Sequence, residues 1–223
     1  MSQQLEAQAW HVAGHAYAAI GFQFPVFRLS LDEFPDSIFE EARGKQWIDE
    51  RTIVEPREVR LPPGTSEHTR MMDNLTAVAL CGPASELQFR GEPCSIERVQ
   101  QFPFDWQLAT ESHSYVWSDG EFGQHMLERQ IERAAVYVSH ANTVEMIEAF
   151  ASYLLEHRSM SGEESQTLWD EVTARQEARA NRPINRRLFD LYGDDVDEEW
   201  MDLSVDPDEE LEAFDIDEEP YPE

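Results

Sequence analysis

The acidic residues of this chain are unevenly spread, and their distribution confines what can fold. Asp190 to Glu223 carries 17 of them and no Lys or Arg. Trp200, Met201, Leu203, Phe214 and Ile216 are interleaved with that charge. So few apolar side chains bury too little surface to offset the entropy of ordering the segment. Residues 181–223 therefore read as an acidic, disordered tail, and a core must be built from residues 1–180. Before the tail, 29 acids face 17 bases, so the tail supplies more than half of the formal charge of -29. The chain has no basic stripe of the kind that phosphate contacts require, which argues against a nucleic-acid partner. Acids interleaved with aromatics also occur in segments that bind partners, while a plain solvated charge run has the same composition.

Ahead of the tail the apolar pattern is helical for the most part. At about 100° per residue, Leu5, Ala9, Val12, Ala16 and Ile20 form one stripe, predicting a helix over residues 3–20 that Gly21 ends. Two β-type runs follow at 26–31 and 45–54. A second helix is expected over 66–89, with a kink at Gly82-Pro83, and a third from about Phe104. Two more cover 124–141 and 143–158, where Asn142 and Glu145 have capping-box spacing. Ser161 and Glu164 repeat that spacing ahead of a last helix reaching about Ala178. The expected class is mostly α with a small β-sheet. No run approaches the ~18–20 apolar residues of a membrane span, and the start lacks the pattern of a signal peptide, so the reading is a cytoplasmic protein without a membrane partner. Cys81 and Cys94 are too few for a disulfide framework and read as reduced thiols. No P-loop is encoded.

The stretch "AWHVAGHAYAAIG" (9–21) carries the chemistry. His11 and His15 stand four apart, beside the apolar stripe on a face shared with Gln4 and Gln8. Two imidazoles at that spacing can hold one zinc ion if a third ligand comes from elsewhere. The same spacing also arises in helices that hold no metal. His68, His113, His125, His140 and His157 show no pairing that suggests a second site.

The later segments follow a recognisable order. "LTAVALCGPASELQFRGE" (75–92), "FDWQLAT" (104–110) and "ERAAVYVSHANTVEMIEAFASYLLEHRSMSGEE" (132–164) resemble, with the histidine helix, the peptidase domain of the FtsH-type ATP-dependent zinc metallopeptidases. In that family an H-E-A-G-H-A helix precedes an A/G-G-x-x-A-E-E-x-x-x-G helix, an N-D-x-x-x-A-T helix start and two long helices ending in L-x-G-E-E. The likeness covers roughly residues 3–178.

The resemblance implies a zincin-like helical fold in which His11, His15 and Asp105 hold one zinc ion. Three protein ligands would leave a position open for water. As the first-turn residue of a helix, Asp105 has a second explanation in the macrodipole. Glu86 matches a family glutamate and would orient a histidine, since metal-bound imidazoles usually donate their other N–H to a carboxylate or carbonyl; an exposed helix charge is the alternative. The departure falls at the general base. Val12 stands where the family has its catalytic glutamate, and proton transfer of that kind is worth about 10²- to 10⁴-fold. The ATPase and membrane anchor usual in the family are also not recognised here. The expectation is a zinc-binding pseudopeptidase that acts by binding a peptide or protein partner. Two alternatives stay open: an active peptidase with a base recruited from Glu6 or a loop carboxylate of residues 32–42, and a protein that works through its acidic tail.

Overall fold

In the computed structural model the first helix, α1 (Gln3–Gly21), lies at the centre, with α3 (Ser66–Arg90) and α7 (Ala141–His157) packed against it. Residues 2–32, 34–35, 37–55, 64–117 and 120–180 are described; the segment expected to form the acidic tail lies outside them. The Ser2 side chain caps α1 by accepting the Leu5 N–H. The helix is buried on more faces than a single stripe: Ala7, Ala9 and every residue from His11 to Ala16 are buried. The amphipathic reading thus underestimates it, because small alanines admit neighbours on every side.

Close approach of α1 and α3 depends on Gly14. A Cβ at that position would stand 2.3 Å from Ser85 Oγ and 2.5 Å from the Cys81 carbonyl oxygen, both on α3. α3 starts at Thr65, whose hydroxyl accepts the His68 N–H, runs through Pro83, and ends at Gly91 in the left-handed conformation (φ 68°). Phe150, Ile147 and Leu154 of α7 join Leu80 of α3 among the largest fully buried side chains.

A small antiparallel sheet closes one side of α1. Its order is β2 (Gln46–Trp47), β3 (Thr52–Val54), β1 (Val26–Ser30), β4 (Ser159–Ser161). The run at 45–54, expected as one strand, is a hairpin: Ile48 to Arg51 turn the chain, and the Ile48 N–H donates to the Thr52 carbonyl at 3.0 Å. β4 arrives from the far end of the sequence, setting Met160 beside Leu29, which pairs on its other edge with Thr52.

The remaining elements are α2 (Ser37–Glu41), α4 (Ile96–Val99), α5 (Pro103–Ser114), α6 (Glu121–Ser139) and α8 (Gly162–Ala180). The described residues are thus mostly helical with a small four-stranded sheet, and no helix among them is long and apolar enough to cross a membrane. The capping box at Ser161 and Glu164 forms: Ser161 N–H donates to Glu164 Oε2 at 2.7 Å and Glu164 N–H returns to Ser161 Oγ at 3.3 Å. The one expected at Asn142 does not. α7 begins two residues earlier, with His140 at the cap, and Glu145 pairs instead with Arg179 of α8. Cys81 and Cys94 are free thiols; burial pushes Cys81 up to about 12 and Cys94 up to about 11, which makes both unreactive near neutrality.

Candidate metal centre

His11 and His15 project from one side of α1 toward a common point. Their Nε2 atoms stand 3.0 Å apart, and His15 is fully buried. Gly82 of α3 makes room for the second ring: a Cβ there would lie 2.2 Å from His15 Nε2 and 2.4 Å from Cε1. His15 Nδ1 lies 2.9 Å from the Val78 carbonyl oxygen. A carbonyl only accepts, so Nδ1 carries the proton and Nε2 of the neutral ring presents a bare lone pair.

Asp105 comes from the first turn of α5, which Pro103 opens at its first position. Its Oδ1 is 2.8 Å from His15 Nε2 and its Oδ2 3.3 Å from His11 Nε2. Asp105 is buried, and Oδ1 accepts no hydrogen bond from the protein. Asp49, from the turn of the β2–β3 hairpin, brings Oδ2 to 3.7 Å from His11 Nε2 and 4.0 Å from His15 Nε2. Its Oδ1 is tied back to the Arg51 N–H at 3.0 Å. Glu86 of α3 stands behind His11, with Oε2 3.0 Å from Nδ1. That contact is close but too angled for a straight hydrogen bond, as His11 Nδ1 has no hydrogen-bond partner of good geometry. Arg90 pairs with the other Glu86 oxygen.

Together these residues gather nitrogen and oxygen donors around one point. One donor atom each from His11, His15, Asp49 and Asp105 lies within 4.8 Å of all the others, and all four residues are buried. Two atoms bound tetrahedrally to one ion at ~2.0–2.1 Å stand about 3.3 Å apart, close to the spacings among His11, His15 and Asp105. The group could hold a metal ion. Without one, a proton must compensate. Burial opposes charge on His11, but the Asp105 carboxylate, helped by Glu86 and Asp49, outweighs it and raises the imidazole to about 10. Burial likewise works against an ionised Asp105, yet His11 and His15 hold its carboxyl well below the usual range. Glu86 is lowered in the same way, with His11 and Arg90 outweighing burial.

His11, His15, Asp105 and Glu86, singled out from the sequence, thus meet in one place. Glu86 is buried, not an exposed helix charge. Asp49 belongs to the cluster without having been a sequence candidate; its one signal is the charged trio Asp49-Glu50-Arg51 interrupting the apolar run "WIDERTIV". Scanned against known proteins, the chain matches no family model and no curated protein. Neither Glu6 nor a described carboxylate of residues 32–42 belongs to the cluster: Asp32 pairs with Arg158 and Glu40 with Arg43, while Glu33 and Asp36 lie outside the described residues. Val12 is fully buried in the apolar core. His113 is a satisfied interior histidine, with Nδ1 3.1 Å from Gln130 Oε1 and Nε2 2.9 Å from the Gly123 carbonyl oxygen.

Two hollows adjoin the cluster. A small cavity of about 140 Å³ lies over the donors, bordered by Gln8, Gln101 and Phe102. A groove of about 680 Å³ runs between the hairpin and α5, lined by Trp47, Ile48, Phe104 and Leu108 among others. Asp49, Glu50 and Phe104 border both.

Proposed function

We propose that this chain is an FtsH-peptidase-like zinc-binding protein that lacks the catalytic glutamate and acts by binding a peptide or protein partner. The observation that carries the metal is the meeting of two imidazole Nε2 atoms with Asp105, whose buried Oδ1 has no hydrogen-bond partner. Imidazole and carboxylate donors at near-tetrahedral spacing suit zinc better than the larger oxygen cages of calcium or magnesium. The loss of proteolysis is argued from Val12, an aliphatic side chain at the position of the family base that is packed in the core. The groove beside the cluster supports binding, because Phe34, Trp47, Ile48, Phe104 and Leu108 in its walls offer apolar contacts beside polar groups such as Gln46 and Gln107.

The test pairs metal content with proteolysis. Purified wild type should carry about one zinc per chain, the His11→Ala, His15→Ala double variant should carry none, and zinc-loaded wild type should not cleave casein. Equal metal in both proteins would end the zinc reading. Chelator-sensitive cleavage by wild type would replace the pseudopeptidase with an active enzyme, for which Asp49, across the imidazole pair from Asp105, is the candidate base.

A further inference from the structure

We infer that Asp49 is the fourth ligand of the bound ion, so that the site is closed and the metal fastens the β2–β3 hairpin to helix α5. This rests on the reading of the cluster as a zinc site and goes beyond it, since three ligands would suffice to hold the ion and leave the hairpin independent of it.

The two walls of the groove are supported separately. The hairpin is held by β1 and α1, while α5 packs on α3 and α6; no substantial packing interface joins the hairpin to α5. What spans the gap is the cluster itself, with Asp49 on one wall and Asp105 on the other. Asp49 is buried, and its two oxygens are already divided. Oδ1 accepts the Arg51 N–H within the turn, so Oδ2 is the oxygen turned to the imidazoles. Its distances of 3.7 and 4.0 Å to the two Nε2 atoms exceed the about 3.3 Å of a tetrahedral pair, so the turn must close on the imidazoles by several tenths of an ångström when an ion binds.

The consequence is mechanical. Without an ion, the two carboxylates stand on opposite walls with only the imidazole pair between them. With an ion, both are drawn to one centre, and the walls of the groove, including Trp47 and Ile48 on one side and Phe104 and Leu108 on the other, are fixed relative to each other. The ion then serves as a staple that orders the hairpin, and no coordination position is left for a water.

Hydrogen exchange with zinc and with chelator tests this on unmodified protein. At zinc 100 times above its dissociation constant, full linkage slows local opening by about a hundredfold. Amides of Ile48 and Arg51, both hydrogen-bonded in the turn, should slow at least about tenfold on zinc addition. In Asp49→Asn, which keeps an oxygen for the Arg51 N–H, that protection should vanish and zinc affinity should fall at least about tenfold. Cobalt substituted for zinc should give the strong visible absorption of a four-coordinate site in wild type and a changed spectrum in the variant. Zinc that binds while leaving hairpin exchange unchanged, or binds Asp49→Asn as tightly as wild type, overturns the staple and leaves the three-ligand site standing. Absence of zinc binding in wild type overturns both.

Discussion

His11 is the residue through which protons and metal compete. In the metal-free fold its imidazole is raised to about 10, above the ~6.5 of an unfolded chain. The stability this contributes is full below pH ~6.5 and is lost as pH rises through about 10. A metal ion takes the place of that proton. Zinc uptake at pH 7 should therefore release about one proton, and apparent affinity should climb about tenfold per pH unit up to the raised value. Calorimetry in buffers of different ionisation enthalpy would measure the release, and none at pH 7 would mean His11 is not a ligand. Gly82 is the second sensitive position. A methyl group 2.2 Å from His15 Nε2 must push the ring off the centre, so Gly82→Ala should cost about 1–3 kcal/mol and weaken zinc binding at least about tenfold. Thermal melting with a zinc titration checks both. The histidine pair was legible in the sequence because helical spacing alone puts both rings on one side. Asp49 was not, because no local period connects a hairpin turn with a helix more than 30 residues before it.

At the scale of elements, the crossing of α1 and α3 sets the site, since α1 supplies both imidazoles and α3 supplies Glu86, Gly82 and the Val78 carbonyl. Gly14→Ala would drive a methyl into Ser85 and the Cys81 carbonyl, separating the helices at an expected cost of about 1–3 kcal/mol, read as a lower melting temperature. Val12 tests the same crossing from inside. It is fully buried among apolar neighbours, so Val12→Glu should destabilise the fold by several kcal/mol, with no gain in casein cleavage. Chelator-sensitive activity in a stably folded Val12→Glu protein would mean the side chain can reach the cleft. The long helices were readable because each repeats its apolar positions over several turns and three carry recognisable ends at Gly21, Gly91 and Ser161. The small elements were not. β4 is three residues, Ser-Met-Ser, whose pairing depends on β1 more than 120 residues earlier, and α4 has a single turn of sequence to betray it. The Asn142 spacing misled because a capping box needs a free helix start, whereas Glu145 is drawn to Arg179.

Across the whole molecule, the metal centre joins parts that the sequence keeps far apart: α1, the β2–β3 hairpin and α5, with α3 behind them. An ion binding only the folded state at 100 times its dissociation constant adds about 2.7 kcal/mol. For a domain of this size each kcal/mol moves the midpoint by about 2–4 °C. Chelation should therefore lower the melting temperature by about 5–10 °C, and the His11→Ala, His15→Ala protein should melt at the same temperature with or without chelator. A chelator effect retained in that variant would place the metal elsewhere. The most direct measurement is X-ray absorption at the zinc edge of the purified, zinc-loaded protein. The cluster predicts only nitrogen and oxygen neighbours at ~2.0–2.1 Å, with the outer-shell scattering of two imidazole rings. Sulfur at about 2.3 Å, which would implicate Cys81 or Cys94, or a shell without imidazole scattering, would contradict a centre built on His11 and His15.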